Sequence, residues 1–209
     1  MKKIRILLGM LLTLFMFLPV YAQGNFGVLG GWNFANASVH PDQGLDWKTR
    51  KGFGFGAVLD YSVTDFITLH LEPMLLLKGT KAEQGEKKLE YRLTYVEIPV
   101  MFMYTIGTNT IKPYLMAGPT IGFLQDAKLK VTTGGDSEWD DLKDDLKSID
   151  FGLGFGVGLD LPIGNNSIFV EARYSLGLMN IADNAEDTYS DIKTRGIQIF
   201  IGITFPMSM

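Results

Sequence analysis

Apolar and polar residues alternate with a period of two along most of the chain, the spacing of strands whose two faces meet different surroundings. In residues 51–62, Phe53, Phe55, Ala57, Leu59 and Tyr61 share one face, and Gly54, Gly56, Val58 and Asp60 share the other. Residues 150–161 repeat the device, setting Phe151, Leu153, Phe155, Val157, Leu159 and Leu161 against Gly152, Gly154, Gly156, Gly158 and Asp160. The alternation continues through Ile168, Val170, Ala172, Tyr174, Leu176 and Leu178, and again through Ile197, Ile199, Ile201, Ile203 and Phe205. Less regular strands are read at about 24–34, 65–78, 89–105 and 110–125, for a total of eight. In the second of these, Ile67, Leu69, Leu71, Leu75 and Leu77 oppose Thr68, His70, Glu72 and Lys78. In the third, Val96, Ile98, Val100, Phe102 and Tyr104 oppose Tyr95, Glu97, Pro99 and Met101. Pro73, Pro99, Pro113 and Pro119 lie inside these segments, where each deletes a ladder donor.

Connections alternate in length. Residues 62–65, 107–110 and 163–166 are tight turns, whereas the stretches near 35–50, 79–88, 126–148 and 179–192 are longer and polar. Short turns at one end and long loops at the other are the layout of an up-and-down barrel in a membrane. Ionisable residues lie opposite the greasy face: Asp60, His70, Glu72, Arg92, Glu97, Asp160, Glu171 and Arg173. A soluble barrel must bury them or turn its apolar row into water, and both are costly. A bilayer solvates the outer row and leaves a small lumen in which the charges pair. The expected fold is all-β, an eight-stranded antiparallel up-and-down transmembrane β-barrel, whose interior is filled by side chains and leaves no wide channel. Trp32, Trp47, Tyr61, Phe66, Tyr91, Tyr104, Phe123 and Phe205, near strand ends or loops, suit interfacial girdles. The lumen-side glycines either make room for large opposing side chains or ease strong curvature.

Composition adds a compartment. Lys2, Lys3 and Arg5 precede an apolar run from Ile6 to Val20 and then Tyr21-Ala22, the pattern of a secretory leader cut after Ala22. A retained anchor is the alternative, but the run falls short of the roughly 20 residues that span a bilayer. The chain divides into a signal peptide, 1–22, and a barrel domain, 23–209. Without the three leader cations the mature chain carries 16 Lys+Arg against 23 Asp+Glu, a net charge of −7. That sign disfavours nucleic acid as a partner. The absence of cysteine rules out disulfides, thiolate metal sites and a thiol nucleophile.

Candidate chemistry is sparse. His70 faces the lumen beside Glu72, and His40 lies with Ser38 in the first long loop without an evident third partner; a lumen network is the favoured role for His70 over a catalytic base. The acidic loop 134–147 places Trp139, Leu142 and Leu146 at i, i+3 and i+7, which predicts a short amphipathic helix capped by Asp136 or Ser137. It lacks the Gly and Glu spacing of an EF-hand, so the favoured reading is a solvated outer face, and the alternative a partner-binding or lid element. Glu72, Glu97, Glu171 and Arg173, with Lys112 or Arg195 as further members, form the expected lumen charge network, read as a structural plug. No catalytic, cofactor or metal residue is assigned.

Several segments taken together resemble a known family: residues 95–100 (Tyr-Val-Glu-Ile-Pro-Val), 112–119 (Lys-Pro-Tyr-Leu-Met-Ala-Gly-Pro), 150–156, 171–178 and 194–197. In this order they resemble the outer membrane protein β-barrel domain family of Gram-negative envelopes, the PorT-like barrels. The resemblance implies an eight-stranded barrel and no single activity; PorT-like members are associated with protein secretion. The expected function is therefore a non-enzymatic integral outer-membrane barrel with an envelope-structural, surface-interaction or secretion-accessory role. Its expected partners are outer membrane lipid and an envelope or secretion protein engaged through the long loops. Two alternatives stand beside it: a soluble lipocalin-like barrel holding a hydrophobic ligand, and an outer-membrane lipid-modifying enzyme. Gel migration of membrane-extracted protein separates barrel from lipocalin. A membrane barrel should run differently before and after boiling, and a soluble one should not need detergent to stay folded.

Overall fold

The computed structural model describes residues 24–40, 46–84, 87–107, 110–183 and 191–207. The leader assigned to residues 1–22 lies outside them. Ten strands follow in chain order: β1 (Gly24–His40), β2 (Asp46–Ser62), β3 (Ile67–Leu71), β4 (Met74–Gln84), β5 (Lys87–Thr105), β6 (Lys112–Thr133), β7 (Asp136–Asp141), β8 (Ile149–Ile163), β9 (Asn166–Gly177) and β10 (Asp191–Pro206). The described residues hold one further element, a 3₁₀ turn at Lys143–Asp145.

All pairings are antiparallel, and the ring closes where β1 pairs with β10, from Asn25↔Pro206 to His40↔Asp191. It has eight staves, because β3 and β4 are two halves of one. Their break falls at Glu72-Pro73. Proline has no N–H to give the ladder, and the neighbours adjust: the Pro73 carbonyl accepts from Ala57 N at 3.0 Å, and Glu72 N donates to the Pro99 carbonyl at 3.2 Å. Strand β7 lies outside the ring and pairs with the upper part of β6.

The apolar rows face outward. Val157 is 55% exposed, Ile201 54% and Trp32 61%, values that no soluble core residue shows. This orientation removes the lipocalin-like alternative, whose ligand cavity needs the same rows turned inward. Phe26 and Phe205 pack with centroids 5.5 Å apart at the short-turn end, where Phe66 and Tyr104 are also exposed. Trp47 and Tyr91 instead pack on each other, 6.0 Å apart. Inside, Leu29, Val58, Met74, Leu76, Phe169 and Phe200 form one apolar layer, and Met101, Tyr114 and Met116 another. Glycine makes this filling possible: a Cβ on Gly158 would overlap the Tyr114 ring, and one on Gly202 the Phe169 ring.

Strands run further toward the long-loop end than alternation indicates. β1 continues to His40, β2 begins at Asp46, and β6 reaches Thr133, so much of the expected loops at 35–50 and 126–148 is strand. The amphipathic helix expected in 134–147 is absent. Gly134 and Gly135, with φ +61° and +103°, make the tight turn that hairpin twist favours, and Asp136–Asp141 folds back as β7.

Depth in the belt sets the effect of a charge on the outer wall. Val157→Lys, mid-strand in β8, should lower the unfolding free energy by about 2–4 kcal/mol, and Ile163→Lys, at the turn, by about 0–1 kcal/mol. Urea titrations in phosphatidylcholine vesicles measure both.

Candidate functional site: the closed lumen

Alternation turns every second residue of β2–β5, β8 and β9 into the ring, where the ionisable ones gather in two clusters. In the first, His70 bridges two carboxylates, with Nδ1 at 2.5 Å from Asp60 Oδ1 and Nε2 at 2.8 Å from Glu72 Oε1. Arg173 donates through both terminal nitrogens to Glu72, with Nη2 at 2.8 Å from Oε1, and through Nη2 to Glu171 as well. Tyr114 donates its hydroxyl to Glu171 Oε2 at 3.1 Å. The Arg173 guanidinium lies 5.1 Å from the Phe200 ring centroid, and the His70 ring meets Phe169 edge-on. His70, Glu72, Glu171 and Arg173 are all buried. One ligand atom each from His70, Glu72 and Glu171 lies within 4.8 Å of the others, the spacing of a metal site, yet Arg173 already supplies the cation there.

The second cluster centres on Lys78, which is ion-paired to Glu97 and lies 3.4 Å from Asp150 Oδ2. Thr194 donates to the same Asp150 oxygen at 2.7 Å, and the Lys78 ammonium stands 5.0 Å from the Tyr95 ring centroid. A space of about 10 Å³ beside Asn33, Lys78, Thr194 and Gln198 is the size of one water and no path for a solute.

Of the four residues grouped from the sequence, Glu72, Glu171 and Arg173 therefore meet, whereas Glu97 belongs with Lys78. Asp150 and Lys78 were missing from that group, although both share the inward parity of their strands. Two expected positions need correction. Arg195 is exposed on the outer wall between the inward-facing Thr194 and Gly196, and Arg92 points outward over Trp139, 4.5 Å from its centroid. Both lie above the apolar belt, where the outer wall meets water and accepts charge. Lys112 lines a vestibule of about 270 Å³ at the short-turn end, with Asp60, Asp160, His70 and Tyr114. Ser38 and the backbone of His40 end β1, and the His40 side chain is outside the described residues.

Among the described residues, an apolar cluster covers part of the long-loop end. Leu142, Leu146 and Ile192 pack onto Leu93, Tyr95, Leu124, Ala127 and Ile181. The backbone ties this lid down: Lys147 N donates to the Ile181 carbonyl at 2.8 Å, Leu124 N to Ser148 at 2.8 Å, and Ile181 N to Ile192 at 3.0 Å. Asn180 Oδ1 accepts from Ala182 N and Ile192 N, at 3.1 and 2.9 Å.

Residues 21–183 match the family described as outer membrane protein beta-barrel domain. Among solved structures, Neisserial surface protein A is 17% identical, with a TM-score of 0.47 and coverage of 86% of this chain and 97% of that one. Ail, the attachment invasion locus protein of Yersinia pestis, is 16% identical, with a TM-score of 0.44 and coverage of 88% and 99%. OprG from Pseudomonas aeruginosa is 12% identical, with a TM-score of 0.47 and coverage of 90% and 98%. No curated protein matches the chain.

Replacing Arg173 with Met removes the guanidinium that Glu72 and Glu171 share, which should destabilise the barrel by about 3–5 kcal/mol. The urea midpoint in detergent micelles should fall accordingly, and Glu72→Gln added to the same chain should recover part of the loss. An unchanged midpoint would contradict the pairing.

Proposed function

We propose, for a chain that belongs to the outer membrane protein β-barrel domain family, a non-conducting and non-enzymatic role: a barrel integral to the outer membrane that holds a rigid β-platform at its surface. One observation carries this reading. Among the described residues the lumen is crossed twice, by paired charges at its middle and by an apolar cluster toward the long-loop end. With the lumen filled in this way, what the described residues offer for interaction is the outer wall and the strand extensions above the belt.

The chemistry of His70 supports the non-enzymatic part. Each ring nitrogen faces a carboxylate, so with both donating the imidazole has no lone pair free to take a proton from a substrate. In this reading residues 1–22 are the cleaved export leader, and the long-loop end faces outside the cell. An envelope or export protein is engaged there, on the hairpins β4–β5 and β6–β7. The secretion-accessory role of PorT-like barrels is one form such an engagement takes.

Two measurements test the proposal. In planar bilayers the purified protein should insert without conductance steps; steady solute-sized openings would refute the closed-lumen reading. Because the chain has no cysteine, single cysteines report its orientation. Asp136→Cys should react with a membrane-impermeant maleimide on intact cells, whereas Asn165→Cys should react only after the outer membrane is permeabilised.

A further inference from the structure

Neighbouring strands change from apolar to charged in the same rows of the ladder. Moving from the belt toward the long-loop end, one outward row holds Leu75, Val96 and Phe123, and the next holds Leu77, Thr94 and Asp126. Above them come Gly79, Arg92, Lys128 and Asp141, and then Lys81, Glu90, Lys130 and Trp139. Cross-strand neighbours share a face, so these side chains stand together on the outer wall at the level where hydrocarbon gives way to headgroups.

The wall is concave there. A cleft of about 540 Å³ is lined by Arg50, Leu77, Arg92, Thr94, Lys128 and Trp139, among others. Its two arginines are held in place. Arg50 is only 9% exposed, donates to the Lys78 carbonyl at 3.0 Å and reaches Glu90 at 3.1 Å. Arg92 shares that carboxylate at 2.9 Å while its guanidinium stacks over Trp139. Lys128 lies 3.5 Å from Asp126, and Lys130 lies 5.6 Å from the Trp139 centroid. Around the cleft, Arg50, Arg92, Lys81, Lys128 and Lys130 outnumber Glu90, Asp126 and Asp141. One carboxylate serving two guanidinium groups leaves further N–H donors on both.

We propose that this cleft binds the phosphate of a lipid headgroup in the leaflet at the long-loop end. Arg92 and Lys128 take the phosphate oxygens, Arg50 fixes their surroundings through Glu90, and Leu77 lies against the glycerol end of the acyl chains. Depth favours a lipid over a soluble anion. The cations begin one row above the last apolar residues, so a phosphate bound here leaves its tails level with Leu75, Val96 and Phe123. The inference needs only that the barrel spans a bilayer, and it is independent of the closed-lumen reading above.

The test is native mass spectrometry of the full chain in zwitterionic micelles, titrated with phosphatidic acid or with diacylglycerol of the same acyl chains. Wild type should retain one phosphatidic acid and no diacylglycerol. Arg92→Gln combined with Lys128→Gln should weaken retention about thirtyfold at low ionic strength, the effect of two surface cations. Lys193→Gln, on β10, should change nothing. Equal retention of the two lipids, or displacement of phosphatidic acid by millimolar inorganic phosphate, would overturn the lipid assignment in wild type alone, whether or not the double variant folds. A folded double variant that binds like wild type would overturn the residue assignment.

Discussion

In hydrocarbon, an amide N–H or carbonyl without a partner has no water to turn to, and every feature of this molecule follows from that constraint. It forbids a free strand edge within the belt, and the β1–β10 pairing removes it by running the length of both strands. Closure then creates an inside. Eight staves enclose too little space for a channel, so the inward residues must fill the ring with one another. Glycines at 154, 156 and 158 on β8 leave the room that Met101, Arg173 and Tyr114 occupy.

Filling a narrow ring with charge works only when each charge finds a partner. Arg173 joins Glu72 and Glu171, and Lys78 joins Glu97 and Asp150, so both clusters cross the lumen and tie staves that are not neighbours in the sheet. The broken stave takes part in this. Glu72 immediately precedes the proline at which β3 and β4 separate, and its carboxylate is held from two sides, by His70 and by Arg173. A local gap in the backbone ladder is thus spanned by side chains.

The outward rows were legible in the sequence because a bilayer imposes a two-valued pattern that Phe53, Phe55, Ile199 and Ile201 obey without exception. The parity that places Glu72, Glu171 and Arg173 inside was equally readable. Which inward residues touch was not: the stagger of the closed ring sets Glu97 against Lys78, and no local spacing encodes that stagger. Above the belt the signal itself disappears. Headgroups and water meet the outer wall there, so both faces of β2, β6 and β7 can be polar, strand resembles loop, and Arg92 resembles a lumen residue while lying on Trp139. The lid was hidden for the opposite reason. Ile181 shows no periodic partner in its own loop, and its value lies in Leu142 and Leu146 arriving from another loop.

One strand escapes the ring's protection. Among the described residues β7 has a partner only along β6, so its far side offers bare backbone to water above the closed ring. Asp136, Glu138, Asp140 and Asp141 crowd that margin with negative charge, and all six residues of β7 are exposed. A second copy approaching edge to edge would bring the same acids into register, and their repulsion would oppose the stitching of crowded barrels into a continuous sheet.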